Sequence, residues 1–257
     1  MSGRLSALFS LEGRTALVTG GNSGIGLAIA HALGAQGARV VLVARREDGL
    51  RQAVAGLVAN GIVADYLAAD LAAVAGPGDV ADRALVGNRV IDVLVNAAGI
   101  NLRQPFEDVD AAAFDLHMAI HLRAPFQLVQ RLAPGMAGQG WGRVINIASL
   151  QSFRAFPNSA PYGAAKGGIV QLSRAIAEAW SPRGVTCNAI APGFFPTRLT
   201  GPVFADPELA AMHAARTMAG RNGAMEDLYG AAVFLASDAS AYVTGQVLPV
   251  DGGYSSR

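Results

Sequence analysis

Short, continuous apolar runs alternate along this chain with longer, alanine-rich stretches of helical period. The runs fall at 15–19, 39–44, 62–67, 91–96, 143–148, 185–190 and 247–250. The helical stretches fall at 24–36, 47–60, 110–137 (mostly helix) and 161–180. An apolar run without polar alternation is what a strand looks like when helices cover both of its faces. Strand–helix alternation over the whole length predicts an α/β fold: one doubly wound parallel sheet of seven strands with helices on both faces. Pro77–Gly78 reads as a break in the loop after the third run. No linker separates a second domain, so residues 1–257 are expected to form one unit. The long irregular stretch, 193–220, holds Pro196, Pro202, Pro207 and a weak helix. A loop this long inside a compact domain predicts a substrate lid.

Composition narrows the function classes. The net charge is +1, from 20 basic and 19 acidic residues. The basic residues are scattered, so no nucleic-acid footprint is expected. No uninterrupted run of membrane-spanning length and no secretory h-region is visible, which points to the cytoplasm and away from a membrane partner. Cys187 is the lone cysteine and lies in the sixth apolar run, where a small core residue is the expected role. Four histidines without ligand spacing predict no metal site.

Two motifs carry chemistry. The first run leads into Thr19-Gly20-Gly21-Asn22-Ser23-Gly24-Ile25-Gly26, and a helix follows at once. Glycines allow the tight turn and let backbone approach a pyrophosphate, while the helix N-terminus offers free N–H groups. Strand before and helix after make this a dinucleotide-binding turn. The second motif is Ser149 with Tyr162 and Lys166. The latter two stand four residues apart on a predicted helix and share a face. A tyrosine titrating near pH ~10 needs a shift of about three units, or roughly 4 kcal/mol, to act as a base near neutrality. An ammonium at about 4 Å supplies roughly that amount at an effective dielectric of ~20. The spacing therefore predicts Tyr162 as general acid/base, with its pKa depressed by Lys166 and with Ser149 holding a substrate oxygen.

With these motifs in order, the chain resembles the short-chain dehydrogenase/reductase family over essentially its full length. The resemblance adds Asp70, Asn96-Ala97-Ala98-Gly99, Asn146-Ile147-Ala148-Ser149, Pro192-Gly193 with Thr197, and Val250-Asp251-Gly252-Gly253. It implies a Rossmann-type fold and a commonly tetrameric assembly. It implies that Gly20, Asn22, Ser23, Gly24, Ile25 and Gly26 line the cofactor phosphates and ribose. Asp70 and Leu71 then contact adenine, and Asn96, Ala97, Ala98 and Gly99 pass behind the cofactor. Lys166 holds the nicotinamide ribose, and Pro192, Gly193, Phe195 and Thr197 hold the carboxamide. Enoyl reductases of the family use a longer tyrosine-to-lysine gap, so the resemblance favours a secondary alcohol/ketone pair.

Cofactor choice turns on Ala44-Arg45-Arg46. An acidic residue at this place would accept the ribose 2′-hydroxyl of NAD; guanidinium groups at Arg45 and Arg46 suit the 2′-phosphate of NADP. Ser23, where many NADP-preferring relatives carry a basic residue, and stacking of Arg45 on either adenine keep NAD open. One position departs from the family: His121 stands where an asparagine is usual. Imidazole can join a proton relay near pH 6–7, or simply preserve one hydrogen bond. Asn101, Arg103, Gln151, Phe156 and Phe194 are expected to border the substrate. Asn101-Leu102-Arg103 and Leu150-Gln151-Ser152 are similar to sugar-acid members such as gluconate 5-dehydrogenase-like enzymes. A 3-oxoacyl or other ketone reductase stays open, as does a cofactor-binding regulator impaired at His121.

Overall fold

The computed structural model describes residues 2–87 and 89–257. Seven strands, β1 (Thr15–Thr19), β2 (Arg39–Ala44), β3 (Ala64–Ala68), β4 (Val93–Asn96), β5 (Gly142–Ile147), β6 (Val185–Pro192) and β7 (Val247–Val250), form one sheet. Every pairing is parallel, in the order β3-β2-β1-β4-β5-β6-β7. The expected Rossmann-type arrangement is therefore present. Among the described residues, ten α-helices accompany it: α1 (Ser2–Ala7), α2 (Gly24–Ala35), α3 (Glu47–Ala59), α4 (Gly76–Ala84), α5 (Ala111–Met118), α6 (Ala124–Gly138), α7 (Ala160–Trp180), α8 (Gly201–Phe204), α9 (Pro207–Ala215) and α10 (Tyr229–Ala236).

Side-chain burial explains the strand pattern. Every residue of β5 and β6 is buried, whereas the edge strands β3 and β7 are partly open. One face packs Ile29, Leu33, Leu50 and Leu57 of α2 and α3 with Leu228 and Ala232. The other packs Val80, Leu128, Leu132 and Ile176 of α4, α6 and α7. Each fully buried leucine contributes roughly 1.5–3 kcal/mol, so the two faces hold the sheet ends rigidly.

Three helices, α1, α4 and α10, lie outside the helical stretches read from the sequence. Pro77 and Gly78 lie inside the first turn of α4 instead of breaking a loop; proline is tolerated there because its missing N–H would be unpaired anyway. α10, a short and almost wholly apolar segment, carries no polar face that would betray its period. The stretch at 110–137 is helical, but a π turn at Ala119–Arg123 divides it into α5 and α6. Pro125 has no N–H to give the His121 carbonyl four residues back, and a wider turn accommodates that gap.

The strand order reverses between β1 and β4, so a crevice opens beyond their C-terminal ends, where open α/β sheets bind ligands. Thr19 ties the two sides of the crevice together. Its hydroxyl donates to the Val95 carbonyl at 3.3 Å and accepts from Ala97 and Ala98 N–H at 3.0 and 3.1 Å.

Candidate active site

The β1–α2 turn forms one end of the crevice. Gly20 has φ +66°, and a Cβ there would stand 2.8 Å from the Ala97 carbonyl oxygen. A Cβ on Gly26 would stand 2.4 Å from the Gly20 carbonyl oxygen. Ser23 caps α2 in extended geometry without a side-chain hydrogen bond, so the first-turn amides stay open to an anion. Beyond β2, Arg45 and Arg46 are exposed and line the cleft. The neighbouring acid, Glu47, is engaged elsewhere: Arg51 pairs with it at 2.8 Å and the Tyr66 hydroxyl donates to it at 3.0 Å. The chain thus offers a close backbone approach, free helix amides and uncompensated arginines, which fit a dinucleotide phosphate backbone.

These parts open into one cleft of about 680 Å³. Every residue assigned from the sequence to cofactor, substrate or catalysis lines it, with one exception. Asn96 is buried behind the wall, where its side-chain amide donates to Asn146 Oδ1 at 2.8 Å. Asn146 then donates to the Ser173 hydroxyl at 2.9 Å. The strand alternation turns Asn96 away while Ala97 and Ala98 face the cleft. Arg198, Leu199 and Ile100 also line the cleft; Arg198 and Leu199 sit inside the long loop, and nothing in its pattern singles them out.

Tyr162 and Lys166 lie on one face of α7, with the lysine Nζ 5.5 Å from the tyrosine ring centre. Lys166 is buried, and its ammonium donates to the Ile147 carbonyl. Ser149, just past β5, caps a short 3₁₀ turn by accepting from Gln151 N–H at 3.1 Å. This brings strand end and helix face together at the tyrosine.

Burial shifts the titration of three groups in the site, Tyr162, Lys166 and His121. Burial raises the Tyr162 pKa above its ordinary value; a hydrogen bond from Ser149 and the charge of Arg103 pull it down without prevailing. Lys166 is not among the groups that lower Tyr162, and burial lowers the lysine itself to about 7. The Coulombic reasoning from spacing left out the desolvation of both partners. His121 is likewise held well below its ordinary pKa, by burial first and by Lys166 second. Its imidazole is neutral and does not titrate near pH 6–7, so a relay by titration there is not supported. The ring meets Tyr162 edge-on at 5.2 Å, and Nε2 lies 2.8 Å from the Ile100 carbonyl oxygen.

A family model described as enoyl-(acyl carrier protein) reductase matches residues 20–255. Gluconate 5-dehydrogenase of Gluconobacter oxydans is 42% identical over 249 residues, covering 96% of each chain. The chain belongs to the short-chain dehydrogenase/reductase family. Like other members of that family, it is an NAD(P)-dependent oxidoreductase acting on CH–OH groups. A gluconate 5-dehydrogenase from Burkholderia cenocepacia, solved with NADP and tartrate, superposes with a TM-score of 0.93 at 37% identity, covering 98% of this chain and 99% of that one. A 3-oxoacyl-(acyl-carrier-protein) reductase of rhamnolipid biosynthesis in Pseudomonas aeruginosa is 36% identical, over 96% of this chain and 98% of that protein. Among the described residues, no helix of this family member is long and apolar enough to cross a membrane.

Proposed function

We propose that this enzyme interconverts the secondary alcohol of a sugar acid or polyol with its ketone, using NADP in preference to NAD. One observation carries the substrate class. The cleft that holds Ser149 and Tyr162 is also lined by Asn101 and Gln151, whose amides can both donate and accept. A polyhydroxy substrate brings several O–H donors, and Arg103 on the same wall suits its carboxylate. Two of the relatives named above are gluconate 5-dehydrogenases, which supports the same reading.

The bound nicotinamide supplies the hydride acceptor or donor. Ser149 holds the substrate oxygen, and Tyr162 gives or takes its proton. Lys166 holds the ribose hydroxyls from the buried face of α7. In the resting site the phenol is protonated, so it is ready as the acid of ketone reduction. Alcohol oxidation must first remove that proton, and occupancy of the cleft together with a charged Lys166 would favour its loss. His121 preserves one hydrogen bond where the family carries asparagine. The Gly20–Gly26 turn would hold the phosphates, and Arg45 and Arg46 would meet the 2′-phosphate. Asp70 and Leu71 border the adenine, with Ala97, Ala98 and Gly99 behind the cofactor. Pro192, Gly193, Phe195 and Thr197 hold the carboxamide, and residues 193–220 cover the substrate as a lid. We place the working protein in the cytoplasm as a homotetramer.

The apolar side chains Phe156, Phe194 and Leu199 favour a second reading, a 3-oxoacyl reductase. Asn101 and Gln151 in the same lining weigh against it, because an acyl chain offers their amides no hydrogen-bond partner. A regulator without catalysis would have no need of Ser149, Tyr162 and Lys166 converging at one end of the cleft. Turnover of gluconate, 5-keto-D-gluconate and a 3-oxoacyl thioester, followed at the nicotinamide absorbance, separates the readings. We expect activity on the sugar acids with NADP, and a fall in kcat of at least about 100-fold in Tyr162→Phe. Turnover of the thioester alone would overturn the substrate class, and undiminished Tyr162→Phe would overturn the assignment of the acid.

A further inference from the structure

Two buried histidines stand one helical turn apart, His117 in α5 and His121 in the π turn that follows. Their rings stack, with centroids 6.1 Å apart and planes 23° apart. Both turn Nε2 toward the backbone of the segment that leaves β4. Leu102 N–H donates to His117 Nε2 at 3.2 Å. His121 Nε2 lies 2.8 Å from the Ile100 carbonyl oxygen and 3.3 Å from its nitrogen. On the far side of the ring, His117 Nδ1 lies 2.7 Å from the Ala113 carbonyl oxygen, which assigns the proton to Nδ1 and the lone pair to Nε2. A neutral His117 therefore joins the helix backbone to the segment. Further along, Gln104 N–H donates to the Asn158 carbonyl at 3.0 Å.

The segment is thus anchored at residues 100, 102 and 104. In extended chain, side chains two apart share a face. Past Ile100, which also lines the cleft, Asn101 and Arg103 line it and Leu102 does not. Anchoring the Leu102 and Gln104 amides orients the Asn101 and Arg103 side chains.

We propose that His117, together with His121, is a positioning clamp on residues 100–102 that sets where Asn101 and Arg103 meet the substrate. His117 then governs substrate recognition without touching the substrate or the cofactor. The proposal rests on the sugar-acid reading only for what Asn101 and Arg103 contact.

Three variants test it. His117→Phe keeps a ring but has neither nitrogen. His117→Asn can still donate to the Ala113 carbonyl but is too short for Leu102. His117→Gln places an amide oxygen near the position of Nε2. Amide hydrogen exchange over residues 99–103 reads the clamp directly, and steady-state kinetics read its consequence. Exchange at Leu102 is expected to accelerate at least about tenfold in the Phe and Asn variants and to return toward wild type in Gln. The gluconate KM is expected to rise about tenfold in the same two variants, with kcat changed by less than about threefold. If the Phe variant does not fold, the Asn variant carries the comparison. Unchanged exchange at Leu102 overturns the clamp, and so does a fall in kcat at constant KM. If wild type turns over no sugar acid, the substrate reading fails alone, and hydrogen exchange still judges the clamp.

Discussion

Lys166 illustrates how burial and proximity compete at a single residue. Its spacing from Tyr162 promises a charge beside a phenol, but the ammonium sits where water does not reach and its pKa falls to about 7. In the unfolded chain the same group titrates at its ordinary 10.5. Between those pH values the unfolded state binds a proton that the folded state lacks, so stability rises with pH across the window. Below pH 7 both states are charged, and the burial penalty is complete. Lys166→Met is therefore expected to melt higher than wild type below pH 7, by on the order of 5 °C without cofactor. That advantage should shrink steadily as pH rises from 7 toward 10.5. Thermal melts at several pH values decide it; a difference that does not vary with pH would refute the linkage. Ser149, Tyr162 and Lys166 stood out as a candidate set only when their spacing was read together with the phosphate-binding turn and the family resemblance. Their protonation states were not legible, because desolvation depends on what folds over them. Asn96 teaches the same lesson in reverse: its motif was legible, but its direction was set by the pleat of β4.

Among the elements, the β1–α2 turn was the most readable, since only glycine suits its closest approaches. Gly26 packs against the Gly20 carbonyl, and backbone cannot move aside as a flexible side chain would. Gly26→Ala is expected to lose roughly 1–3 kcal/mol of stability through overpacking. It should also weaken NADP binding by at least about tenfold, because the same turn presents the amides. Urea unfolding and cofactor titration measure the two effects; unchanged NADP affinity would show that the turn is not the phosphate cradle. Other elements were less legible. A proline at the start of α4 looks like a breaker until the helix is seen to begin there. The π turn at Ala119–Arg123 follows from one missing N–H at Pro125, and it is the turn that carries His121.

The whole molecule brings together groups that are far apart in sequence. Arg45 follows β2, Ser149 follows β5, Tyr162 lies on α7 and Phe194 follows β6, yet all line one cleft at the point where the strand order reverses. At this scale the choice of cofactor becomes testable. With Glu47 held by Arg51 and Tyr66, the positive charge at the end of β2 is uncompensated by its nearest acid. Arg45→Ala is expected to raise the KM for NADP about tenfold while changing that for NAD less than about threefold. Equal loss with both cofactors would mean that Arg45 only stacks on the adenine.

By itself, the sequence determined the layered parallel sheet and the glycine turn, and it singled out Ser149, Tyr162 and Lys166 as the candidate catalytic set. These depend on local periodicity, on glycine sterics and on residues a few positions apart, all of which are written along the chain. Only the tertiary structure decided the charge on Lys166, the protonation of Tyr162, the neutrality of His121 and its pairing with His117 over the Ile100–Leu102 backbone. Each of these depends on which distant segments exclude water from a group and which offer it a partner, and no local pattern records that.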